Sequence, residues 1–232
     1  MKKTTLVSSA LLTVMTLASA SMGAVHAATV TPATSTADVT FEANDDKTTP
    51  VDPTDPSKPV DPSKPTDPAD TPNPGTGNMG PLSIDYVSNL KFGTQKIKDS
   101  AYFSTNTNPY IQITDKRGTG AGWVASAAIS DFTGTKDSKP VTLAGAELTL
   151  NNGLVKTATT NAAVAPTTDK KITLGKTNTA IMTAAKDAGQ GTWLNVFGGK
   201  EDVALSVPAG NITSGVTYNA TITWTLGDTP QG

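Results

Sequence analysis

The segment TYNATITWTLG, residues 217–227, alternates without a break. Tyr218, Ala220, Ile222, Trp224 and Leu226 are apolar, and Asn219, Thr221, Thr223 and Thr225 between them are polar. A period of two over this length reads as a half-buried β-strand, because successive side chains leave a strand on opposite faces. Upstream, the same pattern recurs in short runs. PLSIDYVSNLKFG aligns Leu82, Ile84 and Tyr86; residues 110–114 form another run; and residues 123–130 align Trp123, Ala125, Ala127 and Ile129. KPVTLAGAELTL, KITLG, NTAIMTAA and EDVALSVPAG supply the rest, the last placing Val203, Leu205 and Val207 together. Gly, Asn, Asp and Pro separate the runs, and no stretch of ten or more residues carries a helical period. Many short strands with turn residues between them predict an all-β fold, an antiparallel β-sandwich of Greek-key type.

Ahead of this β domain, assigned to residues 81–232, the chain changes character. Residues 50–68 set a proline at every third position: 50, 53, 56, 59, 62, 65 and 68. Polyproline II also repeats every three residues, so residues 49–80 read as a long, extended Pro/Asp/Lys-rich segment, either a spacer or an unliganded loop. Before it, TADVTFEAND alternates Val39 and Phe41 with Thr40 and Glu42. Residues 28–48 are accordingly expected to hold a strand that joins the later domain, since about five residues of strand are not stable alone. Residues 1–27 read as a secretory signal peptide: Lys2 and Lys3, then an apolar run over residues 10–20 too short to span a membrane, then the small-x-small pattern Val25-His26-Ala27.

Removal of that signal would take the only histidine, His26, and the sequence has no cysteine at all. Disulfide frameworks, Cys/His zinc sites, Ser-His-Asp triads and thiol nucleophiles are thereby excluded, each needing an imidazole or a thiol. Acidic character is confined to residues 28–80, with nine Asp and Glu against three Lys, whereas residues 81–232 carry 13 basic against 11 acidic residues. Neither part has the basic patch of a nucleic-acid binder. Asp85, Asp99, Asp115, Asp131, Asp187, Asp202 and Asp228 are available as carboxylate pairs for glycoside hydrolysis, but most sit among turn residues that explain them. The spacing of a calcium loop is missing, so no metal, no cofactor and no enzymatic activity are expected.

Four stretches together resemble the WxL domain of Gram-positive surface proteins. Trp224-Thr225-Leu226 within YNATITWTLGDTP resembles its distal motif, and SNLKFG at 88–93, GTWLNVFG at 191–198 and VALSVPAGNITSGVTY at 203–218 resemble further family patterns. The proximal motif departs from the usual form, with Trp123 followed by Ala125 where the family commonly has Leu. The resemblance implies a secreted protein on the cell surface, bound non-covalently to the cell wall through peptidoglycan, often beside companion surface proteins. A protein-interaction subunit of a surface complex is the alternative it leaves open. No LPxTG-type sorting signal, apolar C-terminal tail or lipobox cysteine is present, so neither covalent anchorage nor a membrane span is expected.

Aromatic faces suit sugar polymers because they stack on pyranose C–H groups. The candidate peptidoglycan-binding residues are therefore Trp123, Trp193, Phe197, Trp224 and Leu226. For Trp224 the competing reading is core packing, since it shares a strand face with Ile222 and Leu226. For Trp193, flanked by Gly189, Gly191, Gly198 and Gly199, the alternatives are a glycine loop exposing the ring or a plug that tucks it away with Leu194, Val196 and Phe197.

Overall fold

Strand β13, Ile222–Gly227, occupies the second half of the alternating segment, Asn219 before it making only an isolated bridge to Thr133, and twelve further strands precede it in the computed structural model, which describes residues 32–60 and 66–228. They are β1 (Leu82–Val87), β2 (Tyr102–Phe103), β3 (Tyr110–Asp115), β4 (Trp123–Ile129), β5 (Thr133–Lys136), β6 (Lys139–Thr142) and β7 (Glu147–Asn151). The series continues with β8 (Leu154–Lys156), β9 (Lys171–Leu174), β10 (Thr179–Ala184), β11 (Gly191–Val196) and β12 (Val203–Ser206). The only helical elements among the described residues are two three-residue 3-10 turns, Pro68–Asp70 and Ala209–Asn211. Every named strand pairing is antiparallel. The strands form sheets ordered β1-β3-β11-β8, β10-β4-β13 and β2-β12-β7-β9, with β5-β6 as a separate hairpin.

One buried cluster draws on all three larger sheets. Ile111, Ile113 and Trp193 come from the first, Trp123, Ala125, Ile181 and Met182 from the second, and Leu148, Leu150, Ile172 and Val203 from the third. Without a disulfide, this apolar burial is the main source of stability; each large side chain removed from water contributes about 1.5–3 kcal/mol before entropy is set against it.

The Pro/Asp/Lys-rich segment does not run as an extended rod. Val51 and Pro59 form an antiparallel bridge, Val60 N donates to Pro50 O at 2.9 Å, and Asp52 N donates to Lys58 O at 2.9 Å, so the chain reverses within ten residues. Local side-chain chemistry causes the reversal. In Asp52-Pro53-Thr54 the carboxylate accepts from Thr54 N and Oγ1 (2.7 and 2.6 Å), and in Asp55-Pro56-Ser57 it accepts from Ser57 N and Oγ (3.3 and 2.5 Å). Such Asx turns compete with the extended conformation that proline alone would favour. Residues 61–65 of the repeat, like the expected signal peptide 1–27, lie outside the described residues.

On both sides of the reversal, the segment is a strap seated on β1, β3 and β11. Gln112 on β3 is fully buried and treats the strap as it would a neighbouring strand: its Oε1 accepts from Val51 N at 2.8 Å and its Nε2 donates to Thr49 O at 3.2 Å. Further along, Asp70 is 1% exposed and accepts four hydrogen bonds, from Tyr86 OH, Asn73 Nδ2, Asn89 N and Asn89 Nδ2, at 2.7–3.1 Å. A buried carboxylate without a cation is tolerable only when its lone pairs are filled in this way. Val51 packs against Tyr86, Tyr110, Leu194 and Val196, the two tyrosine rings being stacked with centroids 4.5 Å apart.

The strand expected around Val39 and Phe41 does not form. The chain divides into a unit of residues 1–40 and a compact unit beginning at residue 41; residues 32–44 carry no regular structure, and the Phe41 ring is 86% exposed. In the second unit the chain is first fixed at Asn44, whose N donates to Lys116 O at 3.3 Å.

Candidate functional site

The proximal and distal tryptophan motifs lie side by side. β4 pairs with β13 so that Trp224 stands opposite Ala127 and Leu226 opposite Ala125. The third residues of the two motifs are thus cross-strand partners, and the small side chain at 125 sits beside the large one at 226. Directly opposed residues in an antiparallel pair share a face. Trp123, Ala125, Ala127 and Ile129 therefore point to the core together with Ile222, Trp224 and Leu226.

Trp123 is completely enclosed. Its Nε1 donates to Gly189 O at 3.0 Å, satisfying the one polar atom of the ring. Gly189 has φ +72°, and a Cβ there would stand 2.7 Å from Trp123 Nε1 and also collide with Ala184 Cβ, so the indole needs glycine at that place. Trp193 is 4% exposed, with its Nε1 donating to Gln190 O at 2.9 Å, and Phe197 is equally buried.

Of the two alternatives for GTWLNVFG, the exposed loop is overturned and the plug is right in burial but wrong in form. The stretch is strand β11, bonded to β3 on one side and β8 on the other. Trp193 and Phe197 enter the main core, while Leu194 and Val196 enter the cluster beneath the strap. The five candidates do not form one surface: Trp123, Trp193 and Phe197 are interior, and only Trp224 and Leu226, half-buried on β13, keep some contact with solvent.

What the motif strands do present is their other face. Thr221, Thr223 and Thr225 are exposed, and Ser126 and Ala128 of β4 are half-buried beside them. Hydroxyls two residues apart on a strand recur every 6–7 Å or so. At one end of this face a shallow cleft of about 340 Å³ is lined by Ala128, Ser130, Asp131, Lys176, Thr221 and Thr223, with Lys176 Nζ 2.9 Å from Asp131 Oδ2. Sequence reasoning weighed the aromatic residues and passed over these threonines, although their alternation with the apolar row was visible.

The carboxylates inspected for catalysis have structural partners where they are buried. Asp115 pairs with Arg117 at 2.8 Å, and Arg117 Nη1 also reaches Asp228 O at 2.9 Å. Asp85, 3% exposed, accepts from Ser83 Oγ, Thr114 Oγ1 and Gln112 Nε2; burial pushes its carboxyl above the ordinary value, against the opposing pull of those three hydrogen bonds. Among the described residues no group of three or more His, Cys, Asp or Glu is arranged to hold a metal ion, and no helix is long and apolar enough to cross a membrane.

Residues 28–230 match the family model of the WxL domain, described as surface cell wall-binding. No curated protein and no solved structure matches the chain.

Proposed function

The chain belongs to the WxL family of surface cell-wall-binding domains, and from that premise we infer that it is an exported, non-enzymatic protein held on peptidoglycan without a covalent bond. The three larger sheets sharing one core support a sandwich arrangement, with the motif strands β4 and β13 at its surface. In this reading the motif tryptophans build the binding face and do not stack on the sugar themselves. Trp123 and Trp193 are consumed by the core, and Trp224 with Leu226 packs the inner side of β13 so that its outer side stays flat. The glycan lies across the hydroxyls of Thr221, Thr223, Thr225 and Ser126 and enters the cleft beside Asp131 and Lys176.

The observation that carries this reading is the division of labour along β13, apolar residues inward and threonines outward on the strand that bears the family motif. A polymer needs a long shallow surface more than an enclosed pocket, and neutral hydroxyls satisfy sugar hydroxyls without a desolvated charge. Replacing Thr223 and Thr225 together by Glu tests it. The doubly substituted chain is expected to keep the circular dichroism of the native protein, because both sites are exposed, and to stay in the supernatant when mixed with purified peptidoglycan. Sedimentation equal to the native protein by a folded variant overturns this placement of the site.

A further inference from the structure

Beyond wall binding, we propose that the free edge of β13 accepts a β-strand supplied by residues 38–43 of a second copy of this chain, so that the protein joins head to tail. Ser130 N donates to Thr221 O and Ile129 N donates to Gly175 O, the latter pointing away from β13. Ile129 and its partner Ile222 are therefore a non-hydrogen-bonded pair. By the alternation of an antiparallel ladder, the N–H and C=O groups of Ile222, Trp224 and Leu226 face outward from the sheet. Among the described residues no backbone hydrogen bond reaches them.

The other long edges are handled differently. β1 is covered by the strap, Thr76 N donating to Asp85 O at 3.0 Å, and β10 by reciprocal bonds between Thr167 and Thr183 at 2.8 and 2.9 Å. β2, β8 and β9 are only two, three and four residues long, and β9 begins on the charged Lys171. β13 offers six residues, ITWTLG, without a charge or a proline, the usual devices that keep an edge from pairing. An uncharged edge of that length is a template for strand addition.

The chain also carries a segment of matching alternation and length that forms no strand of its own. Val39 and Phe41 alternate with Asp38, Thr40 and Glu42, and both apolar side chains are largely exposed, at 72% and 86%. Laid along β13, they would extend the half-buried row of Ile222, Trp224 and Leu226, while Thr40 would fall on the outer side in line with Thr223 and Thr225. Donor and acceptor differ, so the contact is heterologous and propagates from copy to copy.

The natural absence of cysteine makes disulfide trapping selective. Chains from residue 28 onward bearing Thr40→Cys are mixed with chains bearing Thr225→Cys and oxidised mildly. The expected product is the mixed dimer, several-fold above that given by Thr40→Cys with Thr177→Cys, an exposed control off the strand, and lost when Phe41→Asp is added to the donor. A yield no higher than the control overturns the proposal. So does a chain carrying both Thr40→Cys and Thr225→Cys that closes only within itself, which would mean that the segment covers its own edge. Neither readout depends on peptidoglycan, so the wall-binding reading stands or falls separately.

Discussion

Burial separates the tryptophans that a motif search would treat alike. Trp123 is wholly enclosed and hydrogen-bonded to Gly189 O, so Trp123→Ala leaves a cavity and is expected to cost about 3–5 kcal/mol, enough to unfold much of a marginal domain. Trp224 is half-buried on an edge strand, and Trp224→Ala is expected to cost roughly half as much; urea unfolding of the two variants measures the difference. Asp85 gives a pH test. Its folded carboxyl value is raised by burial, so the folded state binds the proton more tightly than the unfolded state. The stability it contributes is fully present below the ordinary carboxylate value and is lost as pH rises through the raised one. Unfolding free energies between about pH 4 and pH 7 should therefore move in favour of the native protein relative to Asp85→Asn as the solution is acidified. A constant difference would contradict the assignment.

Among the elements, β13 and β4 were legible because each keeps its apolar residues in phase on one face; β1 was legible as a strand but not in its facing, since a bulge between Ile84 and Tyr86 turns Tyr86 to the strap side while Leu82 and Ile84 stay with the main core. β11 was not legible. A strand buried on both sides loses its alternation, and GTWLNVFG, with Trp193, Leu194, Val196 and Phe197 all interior, looks like a cluster between glycines. Its second buried face exists only because the strap covers it, which no local pattern reveals. The strap itself was misread because the proline period was given more weight than the Asp-Pro-Thr and Asp-Pro-Ser turns inside it. Asp70 and Gln112 hold the strap down, so Asp70→Ala, which leaves the buried Tyr86 hydroxyl and Asn89 groups without their acceptor, is expected to cost about 1–3 kcal/mol. Hydrogen exchange should locate the loss, with amides of residues 50–60 and 66–76 exchanging faster while those of β7, β9 and β12 stay protected.

For the molecule as a whole, the family match and the chain's charge lead to the same expectation. Wall binding is the shared property of WxL domains, and the compact unit from residue 41 onward holds 16 basic against 19 acidic groups, with no excess of positive charge through which attraction to anionic wall polymers could dominate. Attachment should then rest on hydrogen bonding and packing against the glycan, which salt screens little. Co-sedimentation of the chain from residue 28 onward with purified peptidoglycan, with and without its anionic polymers and up to about 0.5 M salt, tests this most directly. The protein should pellet with both preparations at every salt concentration. Failure to pellet with bare peptidoglycan, or release as salt is raised, would contradict it.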